Sequence, residues 1–202
     1  MKSFLISLTI IVWICVFGLV FIHFCPIQSN DFYYSCVEPL TNPEFHEIYE
    51  NVYVNEALDE DAEKEYVRIL DKYMGILPLY QHDYKIILTN EELTTDAPHA
   101  QGYKIAAITN HKDKTIKIKY GQLERSLLHE IGHAVDRYED YSQTAEFQDL
   151  YNKVPHDTYY SCTAREYFAR CYQLYTVGSL TDVAEKAYFD RLVYGYSFVI
   201  GG

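Results

Sequence analysis

Cationic side chains are scarce in this sequence: 17 Lys and Arg stand against 29 Asp and Glu, a net charge of −12 over 202 residues. That deficit argues against nucleic acid or anionic lipid headgroups as the main partner, because both recruit proteins through Lys and Arg. Cysteine is also sparse. Five are present and none forms a C-x-x-C pair; Cys15 and Cys25 fall within or beside the first apolar run, which leaves Cys36, Cys162 and Cys171. Such a set is neither a disulfide framework nor a zinc-cysteine site, though it leaves room for one bridge. Internal repeats and low-complexity tracts are absent. Only one stretch stays apolar for long: FLISLTIIVWICVFGLVFIHF, residues 4–24.

That run matches the roughly 20 apolar residues a helix needs to cross a bilayer. A cleaved signal peptide has a shorter apolar region of about 7 to 15 residues, ending at small residues. Here the run ends in HFCPIQ, so an N-terminal membrane anchor over residues 1–24 is the expectation. Lys2 precedes the run and Asp31 and Glu38 follow it, which places the N-terminus inside and the remainder outside. The expected location is therefore the cell surface, single-pass anchored through that helix, or secreted if the segment is cleaved. Residues 25–42 are turn-rich and aperiodic and read as a tether, leaving 43–202 as one domain.

Within the domain, ALDEDAEKEYVRILDKYMGIL carries acids early and Tyr66, Ile69, Leu70 and Tyr73 at helical spacing, which predicts an amphipathic helix. YKIILT reads as a short strand. GYKIAAIT and TIKIKY, separated by NHKDK, read as a hairpin with period-two alternation, near a sheet edge. Helices are expected at roughly 121–138, 143–152, 163–176 and 181–198. A small mixed sheet with an edge hairpin packed on helices defines an α+β domain.

The chemistry concentrates in LLHEIGHAVDRY, residues 127–138. Residues four apart share a helix face, so His129 and His133 can direct their imidazoles at one ion. Glu130 lies about 100° round the helix, within reach of a water on that ion. This is H-E-x-x-H geometry, in which zinc acidifies a water and the glutamate takes its proton. Leu127, Leu128, Ile131, Ala134, Val135 and Tyr138 cluster nearly opposite the histidines, so the helix docks by that side and turns its histidines toward a cleft. Gly132 leaves space near the histidine side. Asp136 shares the histidine face, yet a rise of about 10.5 Å over seven residues keeps it from joining both on one ion. It reads either as an outer acceptor for a histidine N–H or as an exposed helix charge.

A catalytic zinc needs a third protein ligand. Glu139, Asp140, Glu146, Asp149, His156, Asp157, Glu166 and Glu185 are candidates, and spacing alone does not choose among them. In TAREYFARCYQLY, Ala164, Tyr167, Phe168, Cys171, Tyr172 and Tyr175 form an apolar stripe from which Glu166 points away. Alone, that is the wheel position of a solvated glutamate. The histidine helix has the same arrangement, however, and two helices on a common core can turn Glu166 and the histidines into one cleft, with Ala169 permitting close approach.

HEIGHAVD, followed by YYSCTAREYFA, resembles the catalytic domain shared by anthrax toxin lethal factor and the Pro-Pro endopeptidases, a family of gluzincin metallopeptidases. The resemblance spans roughly residues 45–200 and is sharp in these two motifs. It implies a zincin-like domain with zinc held by His129, His133 and Glu166, Glu130 as base, and Tyr159, seven residues before Glu166, stabilising the transition state. Tyr167 stands where the family has phenylalanine, and Arg170 where it often has an acid. The implied function is a zinc-dependent endopeptidase, monomeric, acting on a protein or peptide substrate, specifically extracellular or surface proteins. The alternatives are a membrane-tethered binding domain without catalysis and a cytoplasmic regulatory metallopeptidase.

Overall fold

The computed structural model describes residues 45–54 and 58–200, the last five of these through their backbone alone. Among the described residues five strands form one sheet: β1 (His46–Tyr49), β2 (Val52–Val54), β3 (Lys85–Thr89), β4 (Ala107–Asn110) and β5 (Thr115–Lys119). Their spatial order is β1-β2-β3-β5-β4. The β2/β3 and β3/β5 pairs are parallel, whereas β1/β2 and β4/β5 are antiparallel, so the sheet is mixed. The hairpin read from the sequence is thus present, with β4 on the outside edge and β5 one position in.

Burial follows from these positions. In β5, Ile116 and Ile118 are fully buried while Lys117 and Lys119 stay partly exposed, the alternation of a strand with one face in the core. The more central β3 buries Ile86, Ile87, Leu88 and Thr89 in succession. Strands β1 and β2 are not anticipated by the sequence reading. Four residues with two exposed, and three residues all buried, are too short to display a period of two.

Helix α1 (Glu60–Met74) crosses between β2 and β3. Asp59 caps it by accepting from the Ala62 amide at 2.8 Å, and Glu60, Asp61 and Glu63 occupy its first turn, where the helix dipole favours negative charge. It buries Ile69, Leu70, Tyr73 and Met74. Helices α2 (Leu123–Glu139), α3 (Ala145–Tyr151), α4 (Ala164–Thr176) and α5 (Val183–Ile200) complete an α+β domain. Thr144 caps α3 through the Phe147 amide. An aromatic cluster of Tyr141, Phe147, Phe168, Tyr188 and Phe189 joins the helices, with the Tyr141 and Phe168 rings stacked at 5.8 Å between centroids. The most extensive helix contact is between α2 and α4. Cys162 and Cys171 are both free thiols, so no bridge joins them.

The expectation of a surface protein held by a single-pass anchor is corrected here. Among the described residues no helix is long and apolar enough to cross a membrane. The apolar run at 4–24 and the tether at 25–42 lie outside the described residues.

Candidate metal centre

Helix α2 sits with its Leu127, Leu128, Ile131, Ala134 and Val135 side in the core, as its wheel requires. Its opposite side is also covered. His129 is 6% exposed, Glu130 7% and Gly132 is buried, because α4 and β4 pack over them. Gly132 is what permits this: a Cβ there would lie 2.8 Å from the Ala169 Cα and 3.0 Å from its carbonyl oxygen. No side chain fits in that gap, so the glycine brings α4 against the histidine face.

That approach delivers Glu166. It occupies the first turn of α4, capped by Thr163, whose side chain accepts from the Glu166 amide at 3.2 Å. In the capping-box arrangement a glutamate three residues after the cap would turn back to the cap amide. Here its carboxylate goes to the histidines instead. Glu166 Oε2 lies 3.1 Å from His129 Nε2 and 3.5 Å from His133 Nε2. One ligand atom from each of the three residues falls within 4.8 Å of the others.

These separations fit a metal ion. Two ligand atoms at about 2.0 to 2.1 Å from a tetrahedral zinc stand roughly 3.3 Å apart, close to both distances to Glu166. The donor set of two imidazoles and a carboxylate is one that zinc accepts with a fourth position free. Electrostatics agree with the geometry. Burial pushes the Glu166 carboxyl up, but hydrogen bonds from His129 and His133 and their charge hold it well below the usual carboxylate range. Burial acts to lower the His133 pKa, and the Glu166 hydrogen bond with the Glu130, Glu166 and Asp136 carboxylates outweighs it, so the net shift is upward.

Glu130 is held from the sheet edge. Thr109 on β4 has its hydroxyl 2.8 Å from Glu130 Oε2 and 3.1 Å from the Glu130 carbonyl oxygen. Tyr159 lies in a 3-10 turn, Tyr159–Ser161, just before α4. Its ring is 5.8 Å from that of His99 and 5.5 Å from that of Tyr103. Burial, followed by the Glu166 and Glu130 charges, raises its pKa, so it stays a protonated donor. Both Glu130 and Tyr159 line a cleft of about 620 Å³ and an adjoining lobe of about 320 Å³. The five predicted site residues therefore share one cavity system, with His129 and His133 each opening on one of its two parts.

Other candidates separate. Glu185 accepts a hydrogen bond from the Tyr167 hydroxyl, and Glu146 pairs with Arg191. Asp140 pairs with Arg165 at 3.1 Å. Asp136 is 1% exposed, which removes the exposed-charge reading; it accepts from the Ser142 amide at 2.6 Å and hydroxyl at 2.8 Å and meets Arg165 at 3.4 Å. His99, Thr109 and His111, which the sequence reading does not offer as site residues, also face this cavity. None lies in a periodic helical segment or a spaced motif, so no sequence signal marks them.

The fold and this site define an α+β domain whose two histidines and a glutamate could hold a metal. The family model described as anthrax toxin lethal factor, N- and C-terminal domain, matches residues 50–187, and the chain belongs to that family. No curated protein matches the chain.

Proposed function

We propose that this chain is a zinc-dependent endopeptidase with a zincin-like catalytic domain. The observation that carries the reading is the convergence of His129, His133 and Glu166, with Glu166 Oε2 3.1 Å and 3.5 Å from the two imidazoles and all three ligand atoms within 4.8 Å of one another, and with Glu130 beside them in an open cleft. The lethal factor relationship supports the same chemistry.

Bound zinc supplies Lewis acidity and lowers the pKa of a water molecule toward neutrality. His129, His133 and Glu166 would hold the ion. Glu130 takes the proton from the attacking water and returns it to the leaving amine, as a carboxylate beside the reacting centre does in general acid–base catalysis. Tyr159 donates a hydrogen bond to the developing oxyanion. The edge strand β4 offers unpaired backbone groups to an extended peptide, with the two lobes of the cleft taking side chains either side of the cut. A polypeptide substrate suits the net charge of −12 better than nucleic acid does.

The test is full-length protein loaded with zinc, incubated with a diverse peptide library and read by mass spectrometry, beside Glu130→Gln. Chelator-sensitive cuts absent from the variant are expected. A folded, zinc-loaded protein that cuts neither the library nor unfolded proteins would overturn the peptidase reading, and a folded protein that binds no zinc would overturn the metal centre.

A further inference from the structure

Glu166 divides its two oxygens between different neighbours. Oε2 faces the histidine pair, whereas Oε1 lies 3.2 Å from His99 Nε2. His99 is outside the donor set formed by His129, His133 and Glu166. We propose that His99 is a positioning residue for the metal centre: it holds the outer oxygen of Glu166 so that the inner oxygen stays aimed at the ion. This rests on the metal-centre reading above.

The direction of the bond follows from chemistry. A glutamate that ligates a metal does so as a carboxylate, which only accepts, so in this contact the Nε2 of His99 is the donor and Oε1 the acceptor. The need for such a donor follows from burial. Glu166 is 6% exposed and has three side-chain torsions, and an outer oxygen left without a donor would remain desolvated and free to rotate the inner one off the ion. Ligating carboxylates are in general held by such outer hydrogen bonds.

His99 is also placed firmly enough for the task. It lies in the Pro98–Ala100 turn, within the segment that leaves β3 and returns to β4. A bridge between Leu93 and Ile105 closes the base of that segment, and Leu93 and Ala100 are buried, so the turn is pinned at its neck and beside His99 itself. The Tyr159 ring flanks the imidazole at 5.8 Å. The cleft wall opposite the histidine helix thus reaches the metal ligand through one side chain.

The test uses full-length wild type, His99→Ala, His99→Gln and His99→Met, with zinc affinity measured by competition against a chromogenic chelator. His133→Ala serves as the ligand-loss control, and the cobalt-substituted proteins give the coordination spectrum. Wild type should bind one zinc, and His99→Ala should bind it about 10- to 100-fold more weakly. His99→Gln, which keeps an N–H donor, should recover most of that loss, while His99→Met, of similar length without a donor, should not. Cobalt spectra of the His99 variants should match wild type. If His99→Ala should not fold, the Gln and Met pair decides: equal affinities overturn the proposal, as does wild-type affinity in His99→Ala. A cobalt spectrum altered in every His99 variant would make His99 a ligand and overturn the positioning role. Wild type folded without zinc would overturn the metal centre and this role together, whereas zinc bound tightly by wild type and lost in His133→Ala isolates any failure to His99.

Discussion

Gly132 on α2 faces the backbone of Ala169 on α4 so closely that a Cβ on the glycine would lie 2.8 Å from the Ala169 Cα and 3.2 Å from its Cβ. Backbone cannot swing aside as a flexible side chain can, so Gly132→Ala forces the two helices apart. Alanine is the better helix former by about 1 kcal/mol. Overpacking costs typically about 1 to 3 kcal/mol, and here it dominates because the clash is with main chain. The same displacement draws Glu166 away from His129 and His133. The expected result is a net loss of stability in urea denaturation together with weaker zinc binding. An alanine variant that is more stable than wild type and binds zinc equally would show that the helices are not in this contact.

Thr109 connects the sheet edge to the base. Its hydroxyl reaches Glu130 Oε2 at 2.8 Å, so one oxygen of the candidate base is held. Thr109→Val keeps the shape and removes the donor. Peptide cleavage should fall by roughly 10-fold or more while zinc stoichiometry is unchanged, in keeping with the effect of other outer-partner losses. Thr109→Ser should retain most of the rate. The relevant readout is kcat/KM for one peptide alongside bound zinc; equal rates in the valine variant would remove Thr109 from the working site.

The residues that could be read from sequence are those whose evidence is periodic. The His129 and His133 pair announces itself by spacing, and α1, α2 and α4 by their apolar stripes. Glu166 is only half legible, since its wheel position is that of a solvated glutamate until Gly132 and Ala169 bring α4 inward. Asp136 shows the converse. Its helix position allows an exposed charge, and only the fold of the Tyr141–Gln143 turn back onto it reveals a buried acceptor. His99 and Thr109 come from a turn and an edge strand, where the residue facing the site is decided by tertiary contacts. The short strands β1 and β2 are hidden for want of length.

Asp136 itself carries a stability prediction. Its carboxylate, 1% exposed, receives the Ser142 amide and hydroxyl and sits 3.4 Å from Arg165. Ser142 is fully buried, so Asp136→Ala strands two donors away from water. Each stranded donor costs about 1 to 3 kcal/mol, the removal of a carboxylate that burial disfavours offsets part of that, and a total loss of about 2 to 4 kcal/mol is expected. Chemical denaturation measures it. The turn that Asp136 pins leads into α3, so the loss should appear as a lower midpoint rather than as a local change in the zinc site alone; a variant within about 0.5 kcal/mol of wild type would contradict this.

His111 and His133 pull stability in opposite directions with pH. Burial, then the positive charges of His133, Arg137 and Arg165, lowers the His111 pKa from 6.5 to about 4. The Tyr84 hydroxyl, its own pKa raised to about 12 by burial, lies 3.0 Å from His111 Nδ1 and fixes the ring in place. Above pH 6.5 His111 is neutral in folded and unfolded chains alike, and its contribution is fully present. As pH falls from about 6.5 toward 4, the unfolded chain takes up a proton that the folded site refuses, so stability drops. The drop should be roughly 1 to 2 kcal/mol once the partial exposure of the ring is discounted. His133, whose folded pKa is raised, contributes at low pH in the metal-free protein and loses that contribution as pH rises through its folded value. The two trends overlap in wild type, so the measurement is a difference: metal-free wild type against His111→Gln, by urea denaturation at pH 7, 6, 5 and 4.5. The stability advantage of wild type over the variant should shrink steadily below pH 6.5, and a difference that stays constant across the range would show that His111 does not resist protonation in the fold.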